Sequence, residues 1–369
     1  MAAWHVYHRK KMKNDMQTRA WLATAGFSLA CLLSVVAQDQ PPAVTVYRGM
    51  CDASAAVMLD ATRMVVADDE GNILRVYDAA QGDAPVAVYD WPGFFRMPAD
   101  EKSPEMDLEG AARMGDLVYW IGSHGRNRNG KLRSARQYFF ATRVVVTNGL
   151  AQLVPEGIPY RHLLADLFCH SNAAALGLQD AISLTVAHDP GLAPDRRGVN
   201  IEGLAGSPDG RLWIGFRNPC PQKKALMVPL ENPAAVVAGR EPARLGAAEL
   251  LDLGGRGVRS LEYDAVGRRW LVVAGTSADK RSFALYEWAG PGCAARALRP
   301  DWKLPAADFT PEALAFMPGN GTAVILSDDG DVMVEEKTAG LPARPCPCKE
   351  ARDARNKQFR GCFERLDGP

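Results

Sequence analysis

Excess charge of either sign is missing: 43 lysines and arginines stand against 43 aspartates and glutamates, a formal net charge of +0. That balance excludes a general field for collecting nucleic acid or an anionic membrane, so anion chemistry must come from a local cluster. No basic, aromatic strip of the RNA- or DNA-binding kind occurs. Long apolar runs are missing too: the stretch from Trp21 to Val36 has 16 residues, where a membrane span needs about 20. Histidine is scarce, six in 369 residues, and no His-Glu-x-x-His pair occurs, which removes the helical zinc-hydrolase motif. "GRNRNGKL" falls short of a phosphate-binding loop, because Leu132 stands where a metal-binding Ser or Thr belongs and a strand follows. "GSHG" is not a nucleophile elbow, which needs Gly-x-Ser-x-Gly.

What is present begins with an export signal. Arg19 precedes "WLATAGFSLACLLSVVA", and Val35 and Ala37 occupy the small-residue positions before a cut ahead of Gln38. The signal is better proportioned from Met12 or Met16, and "SLAC" makes a weaker lipoprotein site because apolar sequence continues after Cys31. The mature chain is thus expected in the periplasm or outside the cell, as a monomer without a stable membrane anchor. Of eight cysteines seven remain, and an oxidising compartment should pair some. The tail "RPCPCKEARDARNKQFRGCF" predicts a disulfide from Cys362 to Cys346 or Cys348, with one thiol left over. Zinc competes, but three thiols without a nearby histidine leave a tetrahedral site incomplete.

Two segments share one plan. In "DLEGAARMGDLVYWIGSHGRNRNG" and "NIEGLAGSPDGRLWIGFRNP", Glu109 aligns with Glu202 and Gly122 with Gly215. The same register fits "DASAAVMLDATRMVVADDEGN" with Ser54, "VRSLEYDAVGRRWLVVAGTS" with Arg259, and "TPEALAFMPGNGTAVILSDDG" with Glu312. Each unit offers a small-residue strand, a turn and a β-branched or aromatic strand. Third strands follow in "NILRVYD", "QYFFATRVVV", "KALMVPLEN", "SFALYEWAG" and "DVMVEE", and fourth strands in "APVAVYDW", "ARLGAAELLDL" and "CAARALRP". Four-stranded units at about 50 residues mark a β-propeller. The anchors are 55, 93, 57 and 53 residues apart, and the long interval holds Leu163, Leu164 and Leu167 at helical spacing. The reading is all-β: a five-bladed propeller over 38–336, with a helical insertion at about 155–190, the signal at 1–37 and a cysteine-containing tail at 337–369. Six blades is the alternative. "AVTVYRGM" supplies the missing strand of the last blade and closes the ring.

With "CDASAAVML…ADDEGN", "DLEGAAR…IGSHGR", "NIEGLAGSPDG…IGFRNP", "LDLGGRGVRSLEY" and "FTPEALAF…LSDDG" in view, the chain resembles an exported bacterial family, domain of unknown function 3616, from about Cys51 to Gly330. That resemblance carries no activity over. More loosely, the chain is similar to five-bladed calcium-activated nucleotidases, in which inner-strand Ser and Glu residues surround a calcium ion. That likeness implies a metal set of Ser54, Glu109, Glu202 and Glu312. Arg259 at the fifth position departs from it, since an arginine could neutralise the glutamates instead.

In a propeller the inner strands line the channel, and the loop after each second strand returns to the same face. The mouth should therefore gather Asp68, Asp69 and Glu70, His124, Arg126 and Asn127, Arg217 and Asn218, Ser277, and Asp328 and Asp329, with Asp107 and Arg256 nearby. Three carboxylates on a narrow circle repel unless a cation or an arginine sits among them, so the glutamates bind calcium, form a purely structural Glu-Arg network or act as catalytic carboxylates. Asp68, Asp69, Asp107, Arg256, Arg259, Asp328 and Asp329 form the ligand-binding set. Two functions compete: binding of a small anionic or carbohydrate ligand or a protein partner, and metal-assisted hydrolysis of a phosphoester or phosphoanhydride. In the second, His124 is the acid-base group and Arg126 and Arg217 fork onto the anion. The plainer roles are a hydrogen-bonding histidine and arginines paired with Asp68 or Asp328. "NGT" at Asn320 matches a glycosylation site, but Asn-Gly is also a favoured hairpin turn, which explains it better.

Overall fold

A computed structural model describes residues 42–99, 101, 104–276, 282–299, 302–319, 321–337 and 342–366. The expected signal, Ser277 and Asn320 lie outside these. After β1 (Val44–Arg48) come four sheets in chain order. Blade one is β2 (Ala53–Met58), β3 (Arg63–Asp68), β4 (Leu74–Asp78) and β5 (Ala87–Tyr89). Blade two is β6 (Leu108–Met114), β7 (Leu117–Gly122), β8 (Phe139–Thr147) and β9 (Leu150–Tyr160). Blade three is β10 (Asn200–Gly206), β11 (Leu212–Asn218), β12 (Ala225–Leu230) and β13 (Glu249–Leu251), and blade four is β14 (Gly257–Asp264), β15 (Arg269–Gly275), β16 (Phe283–Trp288) and β17 (Arg296–Arg299). The chain ends with β18 (Pro311–Phe316), β19 (Thr322–Ser327), a hairpin of β20 (Met333–Glu336) and β21 (Arg344–Pro347), and β22 (Gln358–Arg365).

Five blades follow from how the faces are used. Side chains alternate across a strand, and each blade buries one set against each neighbour. Val65 and Ala67 of β3 pack with Val118 and Trp120 of β7, while Met64 and Val66 pack with Val324 and Leu326 of β19. Tyr119 and Ile121 turn to blade three, and the Trp288 ring of blade four lies 5.0 Å from Trp213 of blade three and 5.0 Å from Trp270 of its own blade. Blades four and five share Leu271, Val273, Ile325 and Cys362. Five inter-blade cores close the circle, with β18 beside β2.

Blade five departs from expectation. Its order is β18-β19-β22-β1, so "AVTVYRGM" does supply the outermost strand, but the third comes from the C-terminal tail. "DVMVEE" pairs instead with Arg344–Pro347 in the separate hairpin. The tail is therefore part of the ring, because "QFRGCFER" buries Phe359 and Cys362. The helical insertion starts later than 155, since β9 runs to Tyr160 and the helices are Leu163–Phe168 and Leu178–Ile182. The expected tail disulfide is corrected as well: Cys51 bonds Cys348, their Cα atoms 5.9 Å apart, and Cys362 is held away inside β22. Cys169, Cys220, Cys293, Cys346 and Cys362 are free. No helix among the described residues is long and apolar enough to cross a membrane.

Candidate functional site at the channel mouth

Ser54, Glu109, Glu202, Arg259 and Glu312 all occupy one structural feature. In every blade the pairing of the first two strands skips this residue: Ala53 to Ala55, Leu108 to Gly110, Ile201 to Gly203, Val258 to Ser260 and Pro311 to Ala313. A bulge leaves one residue unpaired and re-aims its side chain. The next residue is small because the following blade presses on it. A Cβ at Gly110 would lie 2.9 Å from Leu204 Cβ, and one at Gly203 would lie 2.7 Å from Val258 Cγ1. Ser260 Oγ accepts the Leu314 amide at 3.1 Å.

The five bulges do not form one ligand set. Arg259, 5% exposed, lies between two glutamates: Nη1 is 3.1 Å from Glu202 Oε2, and Nη2 ion-pairs with Glu312. Glu202 also accepts from Arg217 Nη1 at 2.8 Å and Asn200 Nδ2 at 2.7 Å. Ser54 Oγ donates to Leu108 O at 2.5 Å. Glu109 is left over, with no hydrogen bond or ion pair among the described residues. Burial, then Glu202, Asp107 and Asp69, push its carboxyl well above the usual range.

Glu109 joins a different group. Ligand oxygens of Asp69, Asp107 and Glu109 all lie within 4.8 Å of one another. Asp69 carries a buried Oδ1 without a hydrogen-bond partner, and burial with Asp328 and Asp107 drives its carboxyl upward. Asp107 is held by Arg136 Nη1 at 2.9 Å, yet burial outweighs that charge and moves it to about 6. Asp52 and Asp328 extend the group. They face each other across an isolated β-bridge, and burial, then the Asp328 carboxyl, raises Asp52 to about 10. Asp328 lines an adjacent pocket of about 590 Å³. Asp52 was legible in principle: it precedes its bulge by two residues, as Asp107 and Asn200 do. Arg136 carried no such signal.

Other expected residues are engaged elsewhere. Arg126, 2% exposed, donates to carbonyls of Gly130, Ser183 and Val186, tying its loop to the insertion. His124 Nδ1 bonds Gly122 O at 2.8 Å while Nε2 has no partner, and burial lowers its pKa to about 4, so the ring is neutral near pH 7. Asp68 pairs with Arg75 at 3.2 Å, and Asp329 with Arg360 at 2.7 Å. Arg256 binds Ser282 Oγ at 3.0 Å, and Asn218 Nδ2 bonds Pro194 O at 2.6 Å. Asn127 Oδ1 accepts the amides of Asn129 and Lys131 within its own turn.

Among solved structures, glutaminyl cyclase of Myxococcus xanthus is 11% identical, with 89% of this chain and 97% of that one covered and a TM-score of 0.39. A GH43 β-1,3-galactosidase with galactodeoxynojirimycin is 7% identical over 88% and 94%, with a TM-score of 0.44. No curated protein matches. Residues 52–167 and 184–300 match the protein family of unknown function DUF3616; the gap spans part of the helical insertion, and the fifth blade, expected within the match up to Gly330, lies beyond it. With these two stretches covering more than half of its length, the chain belongs to the family DUF3616.

Proposed function

We propose that this propeller holds a divalent cation, with calcium the fitting one, among Asp69, Asp107 and Glu109, and binds a small anionic ligand there without turnover. The carrying observation is the trio itself: three carboxylates within 4.8 Å, one with an orphaned buried oxygen. Calcium takes hard oxygen ligands at about 2.3–2.6 Å, a distance compatible with that spread. Asp69 and Glu109 supply charge, and Arg136 orients Asp107. Bound there, the ion would offer positive charge to an anion at the mouth. Direct capture by arginine is less favoured, because Arg217 and Arg259 already hold glutamates. The protein acts as an exported monomer in the periplasm or outside the cell, where the Cys51–Cys348 disulfide persists.

Unfolding of the wild type, Glu109→Gln and Glu202→Gln, each with calcium and with chelator, tests the reading. A hundredfold excess of calcium over its dissociation constant should stabilise the wild type by about 2.7 kcal/mol. Glu109→Gln should lose that gain and Glu202→Gln keep it; a wild type indifferent to calcium overturns the proposal. Hydrolysis of a phosphoester or phosphoanhydride has one feature in its favour, the unpartnered Nε2 of His124. Calcium-dependent turnover that His124→Gln abolishes while binding persists would replace binding with catalysis.

A further inference from the structure

A second pocket lies away from the mouth, on the outer flank of blade two. Its volume is about 350 Å³, and its lining includes Phe94, Arg96, Tyr138, Ile158, Pro159 and Arg161. β9, the outermost strand of its blade, supplies Ile158, which is 61% exposed.

The site is built rather than incidental. Arg96 follows the short helix Pro92–Phe95 with φ 48°, a left-handed conformation that a non-glycine residue keeps only under constraint. The buried Tyr138 imposes it: its hydroxyl donates to Phe95 O at 2.5 Å and approaches Arg96 O at 3.3 Å. The Arg161 guanidinium lies 5.0 Å from the centre of the same Tyr138 ring. Neither Arg96 nor Arg161 has a carboxylate partner among the described residues. The neighbouring Arg133 and Arg136 do, in Glu101 and Glu105. Two guanidiniums without counter-charges thus border an aromatic and aliphatic wall.

We propose that this pocket binds a small aromatic carboxylate, its ring against Phe94 and Ile158 and its carboxylate between Arg96 and Arg161. Guanidinium forks match carboxylate geometry, and the apolar wall rewards a flat hydrophobic body.

Phenylacetate is the probe and phenylacetamide its neutral counterpart, titrated by calorimetry and by saturation-transfer NMR. Phenylacetate should bind the wild type saturably. Arg96→Gln and Arg161→Gln should each weaken it by about tenfold or more, as loss of a charge-assisted hydrogen bond implies. The amide should bind at least about tenfold more weakly than the acid. Because Arg161 also covers Tyr138, its variant is read beside Arg161→Lys and Arg96→Gln, with unfolding midpoints confirming folded protein. Glu109→Gln should leave phenylacetate binding unchanged, separating this site from the mouth. Absence of saturable binding, equal affinity for acid and amide, or indifference to both glutamine variants overturns the proposal.

Discussion

Blades three to five answer the charge at each inner bulge with an opposite charge, whereas blade two does not. Glu202, Arg259 and Glu312 form a chain with Arg217, all substantially buried. Glu109 occupies the equivalent place but faces Asp69 and Asp107. The bulge fixes where a side chain goes; the loops decide what it meets. One repeat position can therefore carry a paired charge on one side of a ring and an unpaired carboxylate on the other.

The largest expected effect tests the paired side. Arg259→Ala strands the buried Glu312 and leaves Glu202 to Arg217 and Asn200, and should cost about 3–5 kcal/mol in denaturant unfolding. A loss below about 1 kcal/mol would mean that the two sides do not differ in neutralisation. Next, Cys348→Ser frees Cys51, the residue before Asp52 on the acidic side, and should cost about 2–4 kcal/mol. Adding reductant to the variant should cost nothing more.

The smallest effect is a slope with a definite sign. In chelator, Asp107 keeps its proton to about 6 when folded, against 3.8 ordinarily, and Asp52 to about 10. Between those limits the folded state binds more protons than the unfolded one. Stability from these groups is full below about pH 4 and declines as pH rises. Calcium should flatten the decline, because the cation takes the place of the protons. Unfolding at a series of pH values, with and without calcium, measures both. A stability that climbs from pH 5 to 8 in chelator would remove the uncompensated acidic side from the comparison.

The ring positions were legible because equivalence in a repeat needs only spacing: Ser54, Glu109, Glu202, Arg259 and Glu312 follow from one alignment. Partners were not, because they cross between elements. Nothing local tells that Arg126 will spend its donors on Ser183 and Val186, or that Arg217 will close on Glu202. "RPCPCKEARDARNKQFRGCF" reads as tail with a local disulfide from Cys362 to Cys346 or Cys348, yet Cys348 bonds a residue 297 positions away. The different surroundings of Glu202, beside Arg217 and Arg259, and of Glu109, beside Asp69 and Asp107, were hidden for the same reason. Arg259 was seen, but its reach to Glu202 and Glu312 at once depends on the curvature of the ring.

Blade five also sets an order of events. Gln358–Arg365 must slide between Val44–Arg48 and Thr322–Ser327, pairing Cys362 with Val44 on one side and Ile325 on the other. Contacts of such long range form slowly, because their loop entropy is lost before they contribute. During synthesis the first strand waits unpaired while more than 300 residues are added, and until the last strand arrives two sheet edges stand open to other chains. The ring thus becomes a ring only after its final strand has been made, which makes the interval before closure the period of greatest exposure to aggregation.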